Sequence, residues 1–286
     1  MRRIGIIGVG EIARAIVTGL CEDGTEEDGS RAAGESRAAG GSGEPAPEVN
    51  LSPRGARTSA ELAERYPSVR VRADNQAVVD SSEIVLIAVR RQDRHEALAG
   101  LTVGDDKIVV NVMAGVANDD LRGTLGTSAP LVRAIPLPSV RERRSLTVTC
   151  PAHPVVDALF TRLGGALPVP DEAAFDVFSA LTGTLTTHYA YLATLTKWAA
   201  GHGIAPDAAD SYVRSLFQGV GRALSDESRS LDRLAADHET PKGNNERVRT
   251  TWFTPANAED LHKALDGLLA DLADRGDRTD LGEQPK

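Results

Sequence analysis

Gly8-Val9-Gly10-Glu11-Ile12-Ala13 constrains this chain more than any other segment. It lies between a short β-branched run, Arg3 to Val9, and a stretch from Glu11 to Leu20 where Ile12, Ile16 and Leu20 recur at helical spacing. In a strand–turn–helix unit of this kind, Gly8 permits the tight turn and Gly10 lets backbone approach a pyrophosphate. Ala13 lets the helix pack closely on the strand. The amides of Glu11, Ile12 and Ala13 open the helix, where free N–H groups and the helix dipole favour negative charge. The chain is therefore expected to begin with a dinucleotide-binding unit.

The rest of the first half repeats the alternation. Val49 to Ser52 reads as a second strand, Ser59 to Tyr66 as a helix and Val69 to Arg72 as a short strand. Ile84 to Val89 and Lys107 to Val112 are continuous apolar runs, expected for central parallel strands covered on both faces, and Leu131 to Ile135 reads as a further strand. Strands alternating with helices predict a mostly parallel, doubly wound sheet. Between about 22 and 47, glycines alternate with acids, serines and alanines, a composition that cannot bury a core and predicts a flexible insertion. After Asp171 the pattern turns helical: Glu172 to Gly201, Ala205 to Leu224 and Ala258 to Asp274. The expected architecture is α/β, a Rossmann-like domain over 1–170 followed by an all-helical dimerisation and substrate domain over 171–274, with a polar tail at 275–286.

Composition narrows the function. A chain of 286 residues with 41% hydrophobic and 26% charged residues is ordinary globular material. No apolar run reaches the ~20 residues of a membrane-spanning helix, and none resembles a secretory signal, so no membrane association is expected. A net charge of −9 argues against nucleic acid as a partner. Two cysteines, Cys21 and Cys150, exclude a disulfide scaffold and suggest a reducing, cytoplasmic location. Six scattered histidines lack metal-ligand spacing, so no metal is expected.

The acidic residue that would close strand two and hold a ribose 2′-hydroxyl is missing from Asn50-Leu51-Ser52-Pro53-Arg54. Ser52 and Arg54 instead suit a 2′-phosphate, which predicts NADPH as cofactor; a solvent-exposed turn carrying an arginine is the other reading.

Several segments resemble the pyrroline-5-carboxylate reductase family. Ile4 to Ile16 resembles its opening I-G-F-I-G-x-G-x-M-A-x-A-I. Asp74-Asn75, Val78-Val79 and Ser82 to Gln92 resemble its D-N…V-V…A-D-V-V-x-L-A-V-K-P-Q stretch. Ala114-Gly115-Val116 matches its A-G-V, and Arg133 to Ser139 resembles R-x-M-P-N-T-P. The resemblance implies an NAD(P)H-dependent reductase of a cyclic imine whose helical domain interlocks with a second copy. It also implies that Asn75 contacts the adenine-side ribose region, that Ala88, Val89 and Arg90 line the dinucleotide crevice, and that Ala114 and Pro136 lie near the nicotinamide. The second half departs from the family: L-S-G-S-G-P-A-Y becomes Leu181 to His188. T-V-x-G-A-A, whose threonine faces the imine nitrogen, becomes Leu216 to Gly221, and the carboxylate-binding S-P-G-G-T-T becomes Thr240 to Asn245.

In that half, Thr184, His188, Tyr191, Leu195 and Trp198 share one helix face. This makes His188 and Tyr191 candidate proton donors and Thr184 a candidate substrate contact, with a plain packing face as the other reading. Lys242 and Gly243 could cradle a carboxylate while Asn244 and Asn245 read a substrate amine or hydroxyl; a helix cap is the alternative. The reading favoured is an NADPH-dependent reductase of a small amino-acid-derived cyclic imine, acting as a homodimer. A 2-keto or β-hydroxy acid dehydrogenase on the same plan and a non-catalytic NADP(H)-binding regulator remain open.

Overall fold

The computed structural model describes residues 2–22 and 45–277, the last three by backbone alone. The insertion expected at 22–47 therefore lies, for 23–44, outside the described residues, as does the tail beyond 277.

The first half forms one eight-stranded sheet. Its strands are β1 Ile4–Ile7, β2 Val49–Leu51, β3 Val69–Val71, β4 Ile84–Ile87, β5 Ile108–Asn111, β6 Leu131–Ile135, β7 Thr147–Cys150 and β8 Ala166–Pro168. Their order is β3-β2-β1-β4-β5-β6-β7-β8, parallel throughout except where β7 runs antiparallel to β6. The apolar runs give central strands because both faces are covered. Ile84 and Leu86 point into one core with Ile4, Ile6, Ile16 and Phe160, whereas Val85 and Ile87 point into the other with Ile7, Val78, Leu98 and Leu121. The helices α1 Glu11–Cys21, α2 Ala56–Arg65 and α6 Pro154–Arg162 supply the first layer. The second layer is α3 Asn75–Asp80, α4 Arg94–Leu98 and α5 Asn118–Leu125. Strands closed on both faces by helices make the doubly wound architecture that the alternation predicts.

Cations finish α1. Arg143 Nε donates to Gly19 O at 2.8 Å, its Nη2 donates to Glu22 O at 2.5 Å, and Arg162 Nη2 reaches Leu20 O at 3.4 Å. Guanidinium groups on the last carbonyls satisfy orphan acceptors and oppose the negative end of the helix dipole. The helix whose first turn carries the glycine motif is thus anchored at its far end.

The second half is helical: α7 Glu172–Thr182, α8 Thr184–Gly201, α9 Pro206–Ala223, α10 Leu231–Asp237, α11 Asn244–Trp252 and α12 Pro255–Asp277. The single helix expected from Glu172 to Gly201 is two, because Gly183 interrupts it and its N–H turns back to Ala180 O at 3.0 Å. α12 continues past Asp274, the end expected from sequence, to Asp277. The chain divides into two compact units, one running through Phe178 and resuming at Leu272, the other spanning Ser179–Asp271. That division falls inside α7, between Phe178 and Ser179. The first part of α7 packs on the sheet, with Phe175 in a cluster with Val148, Cys150 and Val169. Among the described residues, no helix is long and apolar enough to cross a membrane.

Candidate functional site

In open α/β sheets ligands bind beyond the carboxyl ends of the strands, where the strand order reverses. Here the reversal lies between β1 and β4, and the glycine turn follows β1. Gly8 has φ +94°, and a Cβ built there would stand 2.7 Å from the backbone of Ala88 and Val89, so only glycine lets the turn lie against the end of β4. Gly10 differs. It is exposed, and a Cβ there would meet nothing within 4 Å. It is also the N-cap of α1 with no side chain capping the helix, so the N–H groups of Glu11, Ile12 and Ala13 are left for an outside acceptor. An open cradle of amides at a helix N-terminus fits a pyrophosphate.

Ser52 is placed otherwise than sequence suggests. Its side chain is fully buried, and Oγ accepts the Gly8 N–H at 3.1 Å while the backbone O accepts Ser59 Oγ at 3.0 Å. It fixes the glycine turn and does not face a 2′-phosphate. Arg54, by contrast, is half-exposed just beyond β2, and its guanidinium meets Glu96 of α4 at 3.2 Å. Asn75 is also engaged: Nδ2 donates to Ala97 O at 2.8 Å, tying the start of α3 to α4. The backbone of Ala88 and Val89 lies against Gly8, while Arg90 points outward and pairs with Asp93 at 2.8 Å.

Ala114 is exposed in the turn after β5, and Pro136 is buried directly after β6, so both sit beyond carboxyl ends of parallel strands. Asn111, which sequence reasoning passed over, shapes the first of these turns. Nδ2 donates to Val116 O at 2.9 Å and Oδ1 accepts Met113 N–H at 3.1 Å. A polar residue closing an apolar strand was the available signal. A cavity of about 310 Å³ lies elsewhere, along α1 and α2, lined by Arg14, Glu22, Glu61, Arg65 and Arg141. Its charges largely cancel: Arg14 meets Glu61 at 2.6 Å, Arg65 pairs with Glu22, and hydrogen bonds from Arg14 and then Arg57 hold the Glu61 carboxyl below its ordinary range.

In the helical unit, His188 and Tyr191 do come together, on Phe217 of α9. The His188 and Phe217 ring centroids are 6.1 Å apart, those of Tyr191 and Phe217 5.7 Å apart, both edge to face. Tyr191 also stacks on Trp252 of α11 at 5.3 Å with an interplanar angle of 11°. Phe217 and Trp252 escaped the sequence reading because they lie on other helices. Thr184 opens α8 and donates back to Leu181 O at 2.7 Å.

The segment after α10 is a helix cap, not an open cradle. The Gly243 N–H donates to Thr240 O at 2.8 Å, and the Lys242 N–H donates to the carboxylate of Glu246 in the first turn of α11. Asn245 Nδ2 donates to His238 O at 2.7 Å, and Asn244 is the first, exposed residue of α11. The Glu246 carboxylate thus occupies the Lys242 amide and the Thr240 carbonyl the Gly243 amide, the two that a substrate carboxylate would need. Among the described residues no group of side chains is arranged to hold a metal ion.

Known proteins resemble this chain along most of its length. Residues 3–115 match the family described as NADP oxidoreductase, coenzyme F420-dependent, which covers the glycine turn and β1 to β5. A pyrroline-5-carboxylate reductase of Synechocystis is 26% identical, over 90% of this chain and 83% of the relative. Pyrroline-5-carboxylate reductase 2 of Bacillus subtilis is 23% identical, over 86% and 85%. Among solved structures, a pyrroline-5-carboxylate reductase from Coxiella burnetii superposes with a TM-score of 0.73 at 18% identity, covering 97% of this chain and 99% of that one. The pyrroline carboxylate reductase of Plasmodium falciparum with NADP bound gives 0.71 at 12%, covering 96% and 98%. A reductive aminase from Aspergillus terreus in complex with NADPH and ethyl levulinate gives 0.56 at 13%, covering 96% and 95%.

Proposed function

We propose that this chain, a divergent member of the pyrroline-5-carboxylate reductase family, is an NADPH-dependent reductase of a small cyclic imine derived from an amino acid. The observation that carries the reading is the uncapped, open start of α1 beyond Gly8 and Gly10, with Arg54 at the neighbouring strand end. The relatives' names and the NADP or NADPH in two of the similar structures support the choice of cofactor and of C=N chemistry.

In this reading the amides of Glu11, Ile12 and Ala13 hold the pyrophosphate, and Arg54 takes the 2′-phosphate through charge-assisted hydrogen bonds. Ala114 and Pro136 line the nicotinamide end. The bound cofactor supplies the hydride. His188 or Tyr191 supplies the proton that the imine nitrogen needs, the two rings sharing Phe217 as an edge-to-face neighbour. The helical unit forms a homodimer, and a cytoplasmic location belongs to the same proposal.

A second reading, a non-catalytic NADP(H)-binding regulator, is favoured by one observation, the Glu246 carboxylate on the Lys242 amide. The test is NADPH absorbance during addition of cyclic imines with and without a carboxylate, and of keto acids. The expected outcome is oxidation with a cyclic imine, reduced at least about tenfold in turnover by His188→Gln or Tyr191→Phe in protein that still binds NADPH. Unchanged absorbance across the panel leaves the regulator.

A further inference from the structure

The carboxylate missing from the end of β2 arrives from a different element. Arg54 follows β2 and Glu96 lies in α4, which follows β4; β1 runs between those two strands in the sheet. Their side chains nevertheless meet, Nη1 to Oε1 at 3.2 Å and Nη2 to Oε2 at 3.5 Å. The pair therefore bridges the carboxyl end of the strand that leads into the glycine turn. Glu96 is kept there by its neighbour: the Ala97 carbonyl accepts the Asn75 amide at 2.8 Å, which fixes α4 against the start of α3.

Stability does not explain this contact. The Arg54 side chain is 50% exposed and that of Glu96 76% exposed, and ion pairs this open to water contribute little. The geometry has a different consequence. Glu96 engages the two terminal nitrogens of Arg54 and leaves the edge carrying Nε free, so the guanidinium can present a second fork to an oxyanion.

We infer that Glu96 is a specificity-determining residue that reads the cofactor's 2′ position in opposition to Arg54. This rests on the assignment of Arg54 to the 2′-phosphate made above. A phosphate within reach of Arg54 lies within the field of Glu96, which repels it and competes for the guanidinium. A 2′-hydroxyl behaves in the opposite way: it donates a hydrogen bond to the carboxylate and, being uncharged, forms no ion pair with the arginine. One ion pair thus carries a partner for each cofactor, and Glu96 tempers the preference for NADPH that Arg54 creates.

Dissociation constants for NADPH and NADH, followed by nicotinamide fluorescence on the full chain, test this in wild type, Glu96→Gln and Arg54→Ala. The Glu96→Gln change is expected to tighten NADPH about two- to fivefold and to weaken NADH by a similar factor. The NADPH gain should shrink at high salt, because the repulsion acts between exposed charges. A purely structural role for Glu96 would move both constants together, and that outcome, or either cofactor failing to move in its own direction, overturns the inference. Arg54→Ala separates the two layers of argument. If it leaves the NADPH-to-NADH ratio unchanged, the assignment of Arg54 fails, whatever Glu96 does. Because Glu96 is exposed, an unchanged melting temperature is expected for Glu96→Gln and certifies that the variant is folded.

Discussion

A methyl group added at Gly8 and one added at Gly10 meet opposite surroundings, and this separates folding from binding within a single motif. At Gly8 the methyl collides with the backbone of Ala88 at 2.7 Å, in a conformation with φ +94° that L-residues rarely adopt. Gly8→Ala is therefore expected to cost about 2–4 kcal/mol in denaturant unfolding, combining strain with a displaced strand end. At Gly10, φ is −95° and the added atom touches nothing within 4 Å. Gly10→Ala should leave stability within about 1 kcal/mol of wild type, because its only folded-state effect is on an open surface. The same methyl stands where a pyrophosphate would approach the α1 amides, so NADPH affinity is expected to fall at least about tenfold. A Gly10→Ala protein that binds NADPH as wild type does would show that the phosphates sit elsewhere.

At the scale of elements, one buried arginine fastens the first part of α7 to the sheet. Arg133 in β6 is 5% exposed, and its Nη1 reaches both Glu172 and, at 3.2 Å, Asp176. Its guanidinium carbon also lies 4.2 Å from the centre of the Phe175 ring. Removing one partner of such a network leaves carboxylates uncompensated, and Arg133→Met is expected to lower unfolding stability by about 3 kcal/mol. Lysine should recover only part of this, since a point charge cannot serve two carboxylates and a ring face as a planar fork does. A loss below about 1 kcal/mol for Arg133→Met would mean the pairs are merely incidental. Nothing in the local sequence around Arg133 signals this role, which illustrates what periodicity can and cannot read. Ile84 to Val89 announces a central strand because burial on both faces demands an unbroken apolar run. Thr147–Cys150 is half polar and Ala166–Pro168 only three residues long, so β7 and β8 carry no such signal. α10 and α11 went unread for a related reason: short and mostly polar, they have no apolar stripe to count. The site divides in the same way. Gly8, Gly10 and Ala13 are legible because the turn and helix start they shape are local. Arg54 with Glu96, Asn75 with Ala97, and Tyr191 with Trp252 are tertiary meetings that no spacing rule contains.

For the whole molecule, the decisive quantity is apolar surface left in water. α8 is 18 residues long and buries none of them, although it carries Leu185, Tyr189 and Trp198 at 46%, 70% and 65% exposure. α9 adds Tyr212, Leu216 and Val220, and α11 adds Val248 and Trp252, all exposed. Large apolar side chains scattered singly over a surface are ordinary, but concentrated on neighbouring helices they mark an interface. Each fully buried side chain of this size is worth roughly 1.5–3 kcal/mol relative to exposure, so a handful covered on association can offset the entropy lost when two chains become one. A second copy of the same helical unit would bring an identical apolar face, which a two-fold axis can make self-complementary. The expected result in light scattering is twice the chain mass at micromolar concentration. Leu185→Asp together with Tyr189→Asp should shift that mass toward the monomer, because burying two carboxylates in an apolar contact carries a desolvation cost that the original side chains do not. NADPH affinity, which the proposal assigns to the glycine turn and Arg54 of the other unit, gives an independent check that the variant is folded. A monomeric wild type at tens of micromolar would sink the homodimer and leave these faces to another partner.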